Sequence, residues 1–89
     1  MREPSPALHL GLCYEAGNGV PQSDAEAARW YKLAADQGYA EAQYRLGLCY
    51  YHGKGVEANC SEAILWLKCA AAQGDSAAAD FLRELGVEP

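Results

Sequence analysis

β-Branched residues are almost missing from this chain: its 89 residues include no Thr, one Ile and three Val. Strands draw on β-branched and aromatic side chains, so a sizeable sheet is disfavoured. Basic residues are scarce too, seven against twelve acidic ones, for a formal net charge of −5. Without a basic excess to displace counterions from a phosphate backbone, nucleic acid is a poor partner. Long apolar runs are absent. The longest uninterrupted one is five residues, where a spanning helix needs about 20, so no membrane partner is expected. The segment Met1-Arg2-Glu3-Pro4-Ser5-Pro6 carries one basic residue and no hydrophobic stretch, which is not the form of a signal peptide. The expected compartment is therefore the cytoplasm, or a secreted or periplasmic one if the chain is excised from a longer precursor. Cys13, Cys49, Cys60 and Cys69 include no Cys-x-x-Cys pair, which weakens zinc and redox readings.

What the chain does have is 17 Ala, 10 Leu and an internal repeat. Apolar residues make up 51% and charged residues 21%, the composition of a foldable chain of one modest domain. Shifting the sequence by 36 places Leu10-Gly11-Leu12-Cys13-Tyr14 over Leu46-Gly47-Leu48-Cys49-Tyr50, and 17 of 36 positions are identical. The match runs on through Gly17/Gly53, Gly19/Gly55, Val20/Val56, Trp30/Trp66 and Gly38/Gly74.

Each copy reads as two antiparallel helices. In the second, Ala42, Leu46, Cys49, Tyr50 and Gly53 fall on one face of a helix A over about 41–52. Gly47, like Gly11, sits inside that helix at a cost of about 1 kcal/mol against Ala, which predicts close approach of a neighbouring helix. Gly53 and Gly55 stop the helix at positive φ. Helix B follows over about 60–73, opened by Asn59-x-x-Glu62 as the first copy is by Ser23-x-x-Glu26, both at capping-box spacing. Its buried stripe is Ala63, Trp66, Leu67, Ala70 and Ala71, matched by Ala27, Trp30, Tyr31, Ala34 and Ala35. A fifth helix, about 76–85, starts a third copy in which Arg83 replaces the packing glycine and Glu84 an apolar residue, as a terminal cap requires.

The pattern Ala42-x3-Leu46-Gly47-x2-Tyr50-x2-Gly53-x-Gly55-Val56-x6-Ala63-x2-Trp66-x3-Ala70-Ala71-x2-Gly74 resembles the Sel-one-like repeat, the α/α relative of the tetratricopeptide repeat. The resemblance runs from about Ser5 to Gly86. It departs at Cys60, where the family often carries an acidic residue, present in the first copy as Asp24. The fold class expected is all-α: a solenoid of two 36-residue helix-pair repeats, about 6–41 and 42–77, plus a C-terminal capping helix at about 76–85, with tails at 1–4 and 87–89. The resemblance implies an interaction module, an adaptor or scaffold for a protein or peptide, monomeric in isolation. A dedicated inhibitor or immunity partner of a toxin or effector enzyme is the alternative, and an enzyme or metal protein ranks third.

Helix A lines the concave side of such superhelices, so its other face is the candidate binding surface. Tyr44, Leu48 and Tyr51 recur there at i, i+4 and i+7, flanked by Arg45 and His52, with Leu8 and Leu12 at equivalent positions of the first copy. Glu15 holds the third of those positions, and Asp80 and Glu84 follow in the cap. Packing between adjacent A helices is the competing account of the leucines. No cofactor is expected. His9 and His52 lack a second ligand at metal spacing, and no catalytic constellation or strand-borne phosphate loop is visible, so the chain reads as no enzyme. Equivalent Cys13 and Cys49 are expected about 9–10 Å apart, beyond the reach of about 7 Å for a disulfide. Cys60 and Cys69 lie about 13 Å apart along one helix and cannot pair either; Cys49–Cys60 is the least implausible bridge, and four free thiols are the expectation in a reducing compartment. Asn59-Cys60-Ser61 matches a glycosylation sequon, but the capping role of Asn59 accounts for it.

Overall fold

A computed structural model of the chain describes residues 5–88. The expected tail at 1–4 and Pro89 lie outside the described residues. Five helices follow in chain order: α1 Pro6–Ala16, α2 Asp24–Asp36, α3 Ala40–His52, α4 Cys60–Ala72 and α5 Ser76–Glu84. Each packs chiefly on its neighbours in sequence, as A-B-A-B-cap, into a slab of 37 × 33 × 17 Å. The all-α solenoid with a capping helix is the observed architecture.

Short polar side chains start four of these helices. Ser5 accepts from the Leu8 N–H, with Pro6 in the first turn, and Ser23, Asn59 and Asp75 accept from Glu26, Glu62 and Ala78 at 3.2, 3.1 and 3.0 Å. Such a cap contributes about 1 kcal/mol. The reciprocal arm of the capping box is different from expectation. Glu26 pairs with Arg29 at 3.2 Å instead of reaching back. The Ser23 N–H donates to the Tyr14 carbonyl at 3.0 Å, and the Asn59 N–H to that of Tyr50 at 2.9 Å. The start of each B helix is thereby tied to the last turn of its own A helix, a longer-range bond that local spacing does not reveal.

Glycines allow the helices of each pair to touch. A Cβ placed on Gly11 would lie 2.5 Å from the Tyr31 ring, and one on Gly47 would lie 2.9 Å from Leu67 Cγ and 3.2 Å from the Ala63 carbonyl. Around these contacts sit Ala27, Ala34, Ala35, Ala42, Ala63 and Ala70, all buried, with Tyr31, Leu46, Leu67 and Leu82 as the largest fully buried side chains. Ala28 and Gln43 join them, though the apolar stripes had not included either. Gln43 is buried because both ends of its amide are paired, the nitrogen donating to the Ala35 carbonyl at 3.2 Å and the oxygen accepting from Gln73 at 2.9 Å. Ala71, Trp30 and Trp66 are only half-buried. The Trp30 indole N–H is buried without an acceptor among the described residues, and Lys32 stands over the Trp66 ring at 5.8 Å. Val87, assigned from sequence to the C-terminal tail, returns to the core of α4 and α5 and donates its N–H to the Leu82 carbonyl at 2.8 Å.

Alanine is the better helix former by about 1 kcal/mol, yet overpacking costs about 1–3 kcal/mol. Tyr31 is both buried and hydrogen-bonded through its hydroxyl, so it cannot swing away from a methyl on Gly11. Chemical denaturation is expected to show Gly11→Ala destabilised by about 2 kcal/mol and Gly47→Ala by less. Stabilisation of both variants would contradict the close approach.

Candidate protein-binding surface

The seven residues singled out from sequence lie on α1 and α3 but differ in surroundings. Leu8 and Leu12 are half-buried and pack against the core formed by α1, α2 and α3. Tyr44 is half-buried against the second core, which contains Leu67, Ala70, Ala78 and Leu82. From α3 its ring packs against the layer that α4 and α5 share. Leu48, Arg45 and His52 line a single cavity of about 100 Å³ between the first two repeats. Tyr51 contacts the His52 ring edge-on and the Phe81 ring of α5 at 5.2 Å and 88°. His52 ends α3 and is exposed.

The seam between repeats 1 and 2 is polar and converges on Glu15. Its carboxylate accepts the Tyr31 hydroxyl hydrogen bond and faces Arg45 at 3.7 Å and Lys54 at 3.6 Å. Lys54 also stands 4.0 Å from Asp24, the first residue of α2. Burial, followed by the hydrogen bond and charge of Glu15, pushes the Tyr31 hydroxyl well above the ordinary tyrosine value. Burial pulls against the Arg45 guanidinium, but Glu41, Tyr31 and Glu15 together raise it. The Cys49 thiol in the same cavity is pushed up to about 11, by burial first and Glu15 second, which makes it a poor nucleophile.

One repeat further on, the same three positions carry different chemistry. A shift of 36 converts Glu15, Tyr31 and Arg45 into Tyr51, Leu67 and Phe81. The ion pair of Glu15 and Arg45 becomes the aromatic pair of Tyr51 and Phe81, and the residue beneath the helix-A glycine changes from Tyr31 to Leu67. In the sequence Glu15 is only a stripe position, and Lys54 carries no signal beyond lying between the two glycines that stop α3. The available signal was that Glu15, Tyr31 and Arg45 depart from the repeat together. All four cysteines are free: Cys49 is buried, Cys13 half-buried with its sulfur 3.6 Å from His9 Nε2, and Cys60 and Cys69 exposed. Among the described residues no cluster of three or more His, Cys, Asp or Glu is placed to hold a metal ion. Among the described residues no helix is long and apolar enough to cross a membrane.

Stacked antiparallel helix pairs, with a glycine at each A–B crossing and a Gly-x-Gly-Val loop after each A helix, define an α/α repeat solenoid of the tetratricopeptide type. The family model described as the Sel1 repeat matches residues 7–39 and 40–75, and the chain belongs to the Sel1 repeat family. Among solved structures it is similar to a protective antigen of uropathogenic Escherichia coli displaying an SLR fold, at 38% identity and TM-score 0.87, covering 92% of this chain and 19% of that one. A Sel1 repeat protein from Oxalobacter formigenes matches at 40% identity and TM-score 0.87 over 89% of this chain and 23% of the other. Helicobacter pylori cysteine rich protein B matches at 30% and 0.81 over 85% and 57%. The chain thus spans less than two thirds of each of these neighbours. Repeats of this family form a non-catalytic interaction module.

Tyr31→Phe removes the buried hydroxyl from Glu15 and is expected to cost about 1 kcal/mol at neutral pH. Because the folded hydroxyl holds its proton more tightly than the unfolded one, this contribution is complete below the unfolded value of about 10. It is lost as pH rises through the folded value. Urea denaturation at a series of pH values should show the gap between wild type and Tyr31→Phe narrowing above about pH 10. A gap that stays constant there would contradict the assignment.

Proposed function

We propose that this domain is an adaptor that binds a protein or peptide on its helix-A face, at the seams between repeats. The observation that carries this reading is the change of chemistry along that one face. A polar seam around Glu15, Arg45 and Lys54 is followed at the equivalent place by an aromatic seam of Tyr51 and Phe81. All five of these side chains are at least partly exposed. Neighbouring slots that differ in this way distinguish partners, since an ion pair and an aromatic edge reward different side chains. Leu48 and His52 border the polar seam, and Leu8 and Leu12 extend the surface on α1. Tyr44 supports it from beneath, through its contact with the second core. The same proposal takes the domain as a monomer of the cytoplasm, with a formal net charge of −5.

The competing apolar surface is on the B helices, where Leu33 and Leu65 are 47% and 59% exposed. A partner isolated by affinity capture and purified decides between the two faces. Tyr51→Ala/His52→Ala is expected to weaken its binding at least tenfold, about 1.4 kcal/mol, while Leu33→Ala/Leu65→Ala leaves it unchanged. Circular dichroism would confirm that both variants fold. The opposite pattern would move the partner to the B-helix face.

A further inference from the structure

Glu15 and Asp24, the acceptors of the polar cavity, are hydrogen-bonded, whereas Lys54 Nζ and Arg45 Nη1 reach them only as long ion pairs. Glu15 receives the Tyr31 hydroxyl on one oxygen, and its two oxygens face Arg45 and Lys54. Asp24 accepts from Gln22 Nε2 at 2.7 Å and sits in the first turn of α2, where the helix dipole favours its charge. The donors stand apart. Lys54 Nζ is 3.6 Å from Glu15 and 4.0 Å from Asp24, both longer than a hydrogen bond. Arg45 gives its Nε to Glu41 at 3.2 Å, but its Nη1 is 3.7 Å from Glu15. The exposed His52 ring contacts only the edge of Tyr51 among the described residues. All three donors belong to α3 or the turn that follows it and line one cavity of about 100 Å³. Ala27, Leu48 and Cys49 form its apolar wall, so charge-assisted hydrogen bonds made there are partly shielded from water.

We infer that this cavity receives the side-chain carboxylate of an Asp or Glu in the partner segment, with an adjacent apolar residue resting on Tyr51 and Phe81. The inference rests on the helix-A reading above and names the chemistry of its partner. A single carboxylate is the match, and an acidic tract is not. The domain carries −5 overall, which repels a highly negative partner as it approaches, whereas a single carboxylate in the cavity sits beside Arg45 and Lys54, well inside the Debye length of about 8 Å. A basic side chain fits less well, because Glu15 and Asp24 already face Arg45 and Lys54, and it would add a third cation beside them.

A library of random twelve-residue peptides displayed on phage, selected against the whole domain, tests this directly. The selected peptides are expected to share one Asp or Glu beside an aromatic residue or Leu. Changing that acid to Asn or Gln, or Lys54→Gln in the domain, should each weaken binding about tenfold. The two changes together should weaken it by much less than the product, because they remove the same contact. Peptides that need Tyr51 and His52 but tolerate loss of their acid, or that carry an essential Lys or Arg, would overturn the carboxylate inference and leave the helix-A surface standing. Peptides indifferent to Tyr51→Ala/His52→Ala, or a selection that yields no binder, would overturn both.

Discussion

The distance between the two repeats is set at one backbone contact, the seating of Gly55 on the start of α2. A side chain at Gly55 would overlap the Asp24 carbonyl and lie 2.8 Å from the Ala25 nitrogen. The loop after α3 can reach that position only with glycine there, and the same residue has a φ of +77°, a conformation that L-residues other than glycine avoid. Its repeat equivalent, Gly19, has a φ of +80° but nothing within 4 Å of a would-be side chain. The Gly-x-Gly-Val loop is therefore a helix stop in both copies and a docking element in the second. Once Gly55 is seated, its neighbour Lys54 stands beside Asp24 and Glu15, and Arg45 comes to Glu15 from the facing helix.

Stability and the proposed specificity then reside in different layers. The core is made of alanines that let helices approach and a few large side chains, Tyr31, Leu46, Leu67 and Leu82, that fill the remaining space. Half-exposed ion pairs such as Lys54 with Glu15 contribute at most about 1 kcal/mol each, so they add little to folding. In the proposed function their effect is on what the surface recognises. Replacing Glu15 and Arg45 with Tyr51 and Phe81 at the next seam changes that chemistry while leaving the helix stacking as it was.

Much of this architecture was legible in the sequence because it is periodic. The stripes through Ala42, Leu46 and Cys49 and through Ala63, Leu67 and Ala70, the glycines at 11 and 47, and the caps at Ser23 and Asn59 are all local or repeated patterns, and they recur in the structure. Periodicity assigns a residue to a face but does not say how far its side chain reaches. Tyr44 illustrates the limit, since its ring extends from α3 to the α4/α5 core. Lys54 illustrates it again, as a loop residue whose long stem places its charge on the preceding repeat. Gln43 escaped because a buried amide is identifiable only from its partners, one of them 30 positions away at Gln73. The polar seam itself was partly visible, since Glu15, Tyr31 and Arg45 break the repeat together.

Comparing Gly55→Ala with Gly19→Ala by chemical denaturation tests the account most directly. Both substitutions place an L-residue at positive φ, at a shared cost of about 1–2 kcal/mol, and only one of them faces the neighbouring repeat. The account predicts that Gly55→Ala is less stable than Gly19→Ala by a further amount of about 2 kcal/mol. Equal losses in the two variants would mean that the repeats do not depend on this contact, and would contradict it.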